Sequence, residues 1–288
     1  MRIQVNGTAL YFDVDGPELR VAGDRLAGRP TIVVLHGGPG FDQGYLRPGL
    51  GALSADAQVV FVDLRGQGRS GRPPVETCTL EQMADDVAEL CALLGISEPV
   101  VFGHSTGGFV ALHLALRHPG LPSGLMLCDT AATLAPLPDD DPPPSLAARS
   151  SAEAVEVAAR LFGGDFSPET LDAFARLVFL YYAGPQHMQV PGHLMSLSGF
   201  ARDVASYFFG VLAPRYDLRP HLKDISVPTL VIVGGYDWVC PPAGSRILAA
   251  AIPGALLVEI RAAGHFGFSE EPHAFCDTVR EFLRRPPP

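Results

Sequence analysis

One short stretch, Val100–Gly108, constrains the fold more than any other part of the chain. It reads Val-Val-Phe-Gly-His-Ser-Thr-Gly-Gly, it begins as a valine-rich apolar run, and Phe109–Leu116 behind it contains nothing that would stop a helix. Gly-x-Ser-x-Gly between a strand and a helix is typical of a tight turn that holds the serine in a strained, exposed position. Gly103 and Gly107 suit such a turn because a residue without Cβ lets the crowded backbone pass. We therefore predict a strand–turn–helix with Ser105 exposed at its apex.

Ser105 is a candidate nucleophile in this interpretation, and an ordinary glycine-rich loop is the alternative. The flanking strand and helix favour the nucleophile. The helix that follows points its N-terminus at the serine, so unpaired N–H groups and a partial positive charge lie where an anionic oxygen would form. A serine hydroxyl is a weak nucleophile at neutral pH and needs a base, which in turn needs an orienting acid.

Composition limits the domain organisation and the partners that are possible for this chain. The chain has 288 residues, of which 47% are hydrophobic and 18% are charged, which suits one large α/β domain or a core domain with an insertion. A formal net charge of -10 argues against nucleic acid or an anionic membrane as a partner, because both select basic surfaces. The N-terminus lacks an apolar signal region and no window approaches about 18 uninterrupted apolar residues, so we expect neither a secretory signal nor a transmembrane helix.

Cysteine and histidine usage narrows the chemistry. The five cysteines are widely spaced and form no Cys-x-x-Cys pair, so we expect most of them to be buried, reduced thiols in a cytoplasmic protein. The nine histidines form no ligand cluster, and we predict no metal and no cofactor. A small-molecule substrate is the expected partner, and the acidic composition suits a monomer or a homodimer.

Alternating strand and helix patterns predict the fold class. Asn6-Gly7 is a hairpin signal that pairs two strands within residues 2–14, and a polar, glycine-rich connection follows. Thr79 and Gln82 form a capping box, with Gln82 reaching back, before a helix that Gly95 ends. Strand signals, most of them typical of buried parallel strands, occupy 31–35, 58–62, 100–102, 124–128, 229–233 and 255–260. We therefore predict an α/β fold with a mostly parallel, doubly wound sheet.

The pattern changes after residue 130. Asp139–Pro144 is a charged, proline-rich linker, and residues 145–220 carry mostly helical signals. We predict that residues 1–130 and 221–288 form the core and that residues 131–220 form a helical cap inserted into it. The cap is rich in Phe, Tyr and Met, which favours an apolar pocket for an acyl or leaving group, although any helical cap needs a core of its own.

Functional groups of doubly wound sheets gather beyond the carboxyl ends of the strands, and two candidates follow strands there. Asp237 follows the 229–233 strand and His265 follows the 255–260 strand. The chain order Ser105, Asp237, His265 is the order expected for this kind of turn, so we predict these three as the catalytic residues. Asp237 acting only as a helix cap, His265 as a plain loop residue, and Asp129 as a competing acid are the alternatives.

The same strand ends supply candidates for an oxyanion hole. We predict the backbone N–H groups of Thr106 and Gly38 as its donors, because the backbone of a Gly-Gly pair can approach a tetrahedral oxygen closely. His36 is expected to brace that loop through hydrogen bonds, and His104 is expected to be structural. Arg65 is expected to pair with a nearby carboxylate.

Several of these motifs together resemble the α/β-hydrolase superfamily: His36-Gly-Gly-Pro-Gly40, Asp63-Leu-Arg-Gly-Gln-Gly-Arg-Ser70, Gly103-His-Ser-Thr-Gly107, Asp237 and Gly264-His265-Phe266. The resemblance covers the whole core and implies the α/β-hydrolase fold with a cap. The first two motifs resemble the proline iminopeptidase branch, which removes an N-terminal proline from peptides. A serine at the turn excludes the relatives that dehalogenate alkyl halides or open epoxides, since those need an aspartate there.

Two departures separate this chain from the iminopeptidase branch. That branch usually carries Gly-Gly-Ser-Trp-Gly at the turn, whereas Gly-His-Ser-Thr-Gly is common in esterases and lactonases. Those peptidases also anchor the substrate's amino group with cap carboxylates, and here Glu153 and Glu156 lie in a helix whose apolar residues face elsewhere. We expect both to face solvent.

Three functions remain open from the sequence. The first is a serine hydrolase that cleaves a carboxylic ester, lactone or thioester of a small to medium, largely apolar substrate through an acyl-enzyme. The second is a proline iminopeptidase-like aminopeptidase with the same catalytic residues. The third is a ligand-binding receptor that keeps the fold with a slow or silent triad.

Overall fold

A large twisted sheet organises the protein, as seen in a computed structural model that describes residues 1–137 and 145–285. The strands of the described residues are β1 (Arg2–Val5), β2 (Thr8–Asp15), β3 (Leu19–Ala22), β4 (Arg25–Gly28), β5 (Thr31–Leu35), β6 (Gln58–Asp63), β7 (Val100–His104), β8 (Gly124–Cys128), β9 (Thr229–Gly234) and β10 (Leu256–Ile260). The α-helices are α1 (Arg47–Leu50), α2 (Leu80–Leu94), α3 (Thr106–Arg117), α4 (Leu146–Arg149), α5 (Ala152–Phe162), α6 (Pro168–Leu177), α7 (Val190–Ser196), α8 (Arg202–Tyr207), α9 (Pro242–Ala251), α10 (Gly267–Glu270) and α11 (Pro272–Leu283).

The eight-stranded sheet has the order β1-β2-β6-β5-β7-β8-β9-β10. β1 pairs with β2, and β2 with β6, in antiparallel fashion, and every other neighbouring pair is parallel. The predicted α/β class with a mostly parallel sheet is therefore confirmed. The carboxyl ends of β5, β7, β8, β9 and β10 lie at one edge, where their loops meet.

Helices cover both faces of the sheet, because alternate strand residues point to opposite faces. Val33 and Val101 pack in a buried cluster with side chains of α2 and α3. Ile32 and Phe102 pack in a second cluster with side chains of α11 and of the helices in residues 131–220. Each fully buried side chain of this kind stabilises the fold by about 1.5–3 kcal/mol before the entropy of ordering is subtracted.

Two local predictions hold only in part. The connection expected after residue 14 contains a separate antiparallel hairpin of β3 and β4; its strands are short and exposed, so no buried alternation marks them in the sequence. The capping box before α2 forms only in part. Thr79 accepts a hydrogen bond from the Gln82 N–H, and Gly95 ends the helix at a φ of 70°. The Gln82 side chain instead donates to Asp86 at 3.0 Å, because residues four apart lie on the same face of a helix.

Within their described part, residues 131–220 hold α4 to α8, several 3₁₀ turns and a π-helical turn at Phe208–Leu212. Their strand pairing consists of one isolated bridge, Thr133 with Asp217. The division into core and cap remains a prediction, and the predicted linker Asp139–Pro144 lies outside the described residues.

Two further features are the state of the cysteines and the length of the described helices. Cys78, Cys91, Cys128, Cys240 and Cys276 are all free and buried, in line with the expected thiols. None of the described helices is long and apolar enough to cross a membrane.

Candidate active site

The turn between β7 and α3 holds Ser105 in a strained conformation, as the Gly-x-Ser-x-Gly pattern predicts. Its φ is 53° and its ψ is -123°, a region that residues with a Cβ rarely adopt. Its N–H donates to the Cys128 carbonyl at 3.0 Å, and its carbonyl accepts from the Thr130 hydroxyl at 2.7 Å. A Cβ on Gly103 would lie 2.5 Å from the Gly107 carbonyl oxygen, so glycine is required there.

The prediction that Ser105 would be exposed is wrong. The residue is only 7% exposed, because aromatic side chains from residues 131–220 cover the strand ends. Phe162, Tyr182 and Phe209 line the cavities in which Ser105 lies. The serine is therefore reached through the cavities under this helical segment.

Asp237 and His265 form a buried pair at the ends of β9 and β10. Asp237 Oδ2 lies 2.8 Å from His265 Nδ1, and the side chains are 0% and 4% exposed. A carboxylate accepts only, so Nδ1 carries the proton and Nε2 is left as the basic nitrogen. Burial lowers the pKa of His265, but the charge and hydrogen bond of Asp237 outweigh it, and the net pKa is raised above its ordinary value of 6.5.

Asp237 also caps the turn before α9, so it has the alternative role of a helix cap in addition to its bond with His265. Its Oδ1 accepts from the backbone N–H groups of Val239 at 2.9 Å and Cys240 at 3.0 Å. These bonds fix the carboxylate and leave Oδ2 directed at His265.

Asp129, the competing acid, has other partners. Its Oδ1 accepts from the Gly234 N–H at 2.8 Å, and its Oδ2 accepts from the Cys128 thiol at 3.2 Å. Burial and then the nearby charge of Asp237 raise the pKa of Asp129 to about 8. The raised pKa disfavours the ionised form of Asp129, and its two hydrogen bonds tie β8 to β9.

Glu270 is a buried neighbour of His265 that sequence reasoning missed. Its side chain is buried, and its Oε2 accepts from the N–H groups of Gly184 at 2.7 Å and Gly264 at 2.8 Å, while Oε1 accepts from Phe266 at 2.9 Å. Burial raises the pKa of Glu270. The carboxylate holds the backbone on both sides of His265. Glu270 is followed by a second acid, Glu271, so no local pattern in the sequence marks it as the buried one.

The loop after β5 carries the predicted oxyanion donor. His36 lies 2.8 Å from the Gly37 carbonyl through Nδ1 and 3.0 Å from the Leu64 N–H through Nε2, so it braces the loop as expected. The Gly37 N–H is already used, since it donates to the Tyr45 hydroxyl at 2.6 Å. Within the described residues, the N–H groups of Gly38 and Thr106 donate no hydrogen bond.

Arg65 pairs with a carboxylate as expected, and Asp86 is the partner. Their two hydrogen bonds of 2.7 and 2.8 Å form a buried bidentate pair. It braces the loop after β6 against α2.

Two cavities meet at Ser105 and His265, with volumes of about 380 and 460 Å³. Gly38 lines both, and Thr106 lines the larger one. Apolar and aromatic side chains make up most of the walls, and no Asp, Glu, Lys or Arg of the described chain lines either cavity. Glu153 and Glu156 are exposed, as expected. In residues 1–137 and 145–285, no cluster of three or more His, Cys, Asp or Glu side chains could hold a metal ion.

Known proteins share this architecture. The family described as alpha/beta hydrolase fold matches residues 30–272. The putative carbamate hydrolase RutD of Caulobacter vibrioides is 28% identical over 279 residues, which cover 94% of this chain and 96% of that protein. The proline iminopeptidase PfmaB of Pestalotiopsis fici is 25% identical over 293 residues, which cover 98% of this chain and 99% of that protein.

A solved structure adds to these relatives. The enol-lactonase from Burkholderia xenovorans LB400 superposes with a TM-score of 0.76 and 30% identity, over 99% of this chain and 100% of that chain. The family match, the eight-stranded sheet and the serine turn agree with the resemblance stated from the sequence motifs. The chain therefore belongs to the α/β-hydrolase fold family and is a hydrolase of that fold.

Proposed function

We propose that this enzyme is a serine hydrolase that cleaves a carboxylic ester or lactone of a small to medium, largely apolar substrate through an acyl-enzyme. The observation that carries the proposal is the buried Asp237–His265 pair beside the strained Ser105, at the junction of two apolar cavities. An apolar lining with few polar groups selects uncharged substrates, because a charged group would lose its hydration there without gaining a partner.

Each proposed residue has one chemical role. His265 Nε2 takes the proton of the Ser105 hydroxyl as the oxygen attacks the carbonyl carbon, and the Asp237 carboxylate stabilises the imidazolium that results. The N–H groups of Gly38 and Thr106 stabilise the tetrahedral oxyanion. The imidazolium then protonates the leaving oxygen, and water activated by His265 hydrolyses the acyl-enzyme.

The aminopeptidase alternative has two supports, the iminopeptidase-like motifs and the similarity to PfmaB. An N-terminal ammonium group needs a carboxylate in the cavity, and none of the described lining residues is acidic. The ester or lactone reading is therefore favoured. The receptor alternative is not supported, because the similar proteins named above are enzymes.

A substrate panel tests the proposal. Wild type, Ser105→Ala and the control Ser245→Ala are assayed with p-nitrophenyl esters, simple lactones, an aryl carbamate and L-proline β-naphthylamide. Ser245 is a matched control because its buried hydroxyl has no hydrogen-bond partner in the described chain. We expect ester or lactone hydrolysis that only Ser105→Ala abolishes. Preferred cleavage of the proline amide, or full activity in Ser105→Ala, would contradict the proposal.

A further inference from the structure

A continuous chain of buried hydrogen bonds joins the loop after β5 to His265. The Gly37 N–H lies 2.6 Å from the Tyr45 hydroxyl, and that hydroxyl lies 2.7 Å from His104 Nδ1. His104 Nε2 lies 2.7 Å from the backbone carbonyl oxygen of His265. Tyr45 and His104 are each 1% exposed.

The direction of every bond in this chain can be derived from its ends. The His265 carbonyl oxygen can only accept, so His104 Nε2 carries the proton. Burial, and then the positive charge that nearby His265 carries when it is protonated, hold the pKa of His104 well below its ordinary value, so the ring is neutral and Nδ1 accepts. Tyr45 therefore donates to Nδ1, and its oxygen accepts from Gly37. All donors point the same way, and such chains strengthen each other through polarisation.

We infer that Tyr45 and His104 are positioning residues that hold the oxyanion loop and the His265 backbone in one fixed geometry. The inference rests on the proposed function of Gly38 and His265. Gly37 precedes Gly38, so the bond from its N–H to Tyr45 fixes the backbone that leads into the proposed oxyanion donor. At the other end, the bond to the His265 carbonyl fixes the main chain that carries the base.

The hydrogen bonds of Tyr45 and His104 affect both substrate binding and the charge near His265. Both hydrogen-bonding functions of the Tyr45 hydroxyl are used within the protein, so the group is not free to bind substrate, although its ring lines the smaller cavity. The His104 and His265 rings lie 4.8 Å apart between centroids. A proton on His104 would oppose the charge that His265 gains during attack, and the Tyr45 hydroxyl occupies the nitrogen that would take that proton.

The first test compares Tyr45→Phe with Tyr216→Phe. Tyr216 is a matched control because it is also buried, donates one hydroxyl hydrogen bond to the Ala131 carbonyl at 2.9 Å, and lines neither cavity. The readouts are kcat and KM on the best ester and the rate at which a fluorophosphonate labels Ser105. We expect Tyr45→Phe to lower kcat and the labelling rate about 10-fold with little change in KM, because a displaced loop weakens the transition state. We expect Tyr216→Phe to change neither rate.

The second test uses His104, in case Tyr45→Phe unfolds. His104→Gln keeps a donor for His265 and an acceptor for Tyr45, whereas His104→Leu keeps neither. We expect Leu to slow labelling about 10-fold and Gln to restore most of that loss. Wild-type labelling rates in Tyr45→Phe or in His104→Leu would overturn the inference, as would equal losses in Leu and Gln.

The labelling assay separates this inference from the proposed function. Normal labelling of wild type with no hydrolysis of any ester or lactone would refute the substrate proposal, and the variants would still report on the positioning residues. A wild-type protein that the reagent does not label would overturn both, since neither serine activation nor its support would then exist.

Discussion

Replacing Glu270 by glutamine perturbs the loop that carries His265 while nearly preserving side-chain shape. The carboxylate accepts three backbone N–H groups, from Gly184, Gly264 and Phe266. A glutamine has one carbonyl oxygen, which can retain the Gly184 and Gly264 bonds. Its NH₂ group then faces the Phe266 N–H, so one buried donor loses its partner.

The magnitude follows from these three bonds. An unpaired buried N–H costs about 1–3 kcal/mol, and the two retained bonds lose the strength that an ionised acceptor provides. Removing a buried charge offsets part of this loss, since burial raises the pKa of Glu270 and so disfavours its ionised form. We expect Glu270→Gln to lower the free energy of unfolding by about 2 kcal/mol and kcat by about 10-fold.

Urea unfolding followed by the fluorescence of Trp238, the single tryptophan, measures the stability change. Glu271→Gln is the matched control: it makes the same substitution at the next residue, whose side chain is 36% exposed and lies 3.1 Å from His187. Such a partly exposed pair contributes about 0–1 kcal/mol. If Glu270→Gln cost no more than Glu271→Gln, Glu270 would not be the support of the His265 loop.

Three further substitutions test the site. Asp129→Asn should retain activity and raise the free energy of unfolding at pH 7. Folding raises the pKa of the wild-type carboxyl from its ordinary 3.8 to about 8, so ionisation of Asp129 destabilises the wild-type fold increasingly as the pH rises from 3.8 to 8. Urea unfolding near pH 3 should therefore show no gain from the substitution. Asp237→Asn should lower kcat by about 10⁴. It should also move the rising limb of kcat/KM to lower pH, because that limb lies above pH 6.5 in wild type through the raised pKa of His265. Phe209→Ala should join the two cavities that Phe209 lines and so raise the ratio of kcat/KM for branched esters to kcat/KM for linear esters. If that ratio did not change, Phe209 would not divide the two cavities.

Local sequence patterns were sufficient to predict the mostly parallel sheet and to place three candidate residues at its edge. The β-branched runs at 31–35 and 229–233 predicted buried strands because only residues covered on both faces tolerate uninterrupted apolar runs. Gly103 and Gly107 predicted the turn because the required backbone approach excludes a Cβ. The order of Ser105, Asp237 and His265 then placed three polar groups at one edge of the sheet.

The remaining features depend on contacts between distant residues, which only the tertiary structure decided. Tyr45 reaches His104 across 59 residues and Glu270 reaches Gly184 across 86, and a single side chain that meets a remote backbone group leaves no periodic pattern in the sequence. The burial of Ser105 depends in the same way on where the helices of residues 131–220 pack. The sequence by itself determined which groups stand at the strand ends, and tertiary packing decided what covers and holds them, because local propensity acts over a few residues whereas burial and hydrogen bonding join any residues that the fold brings together.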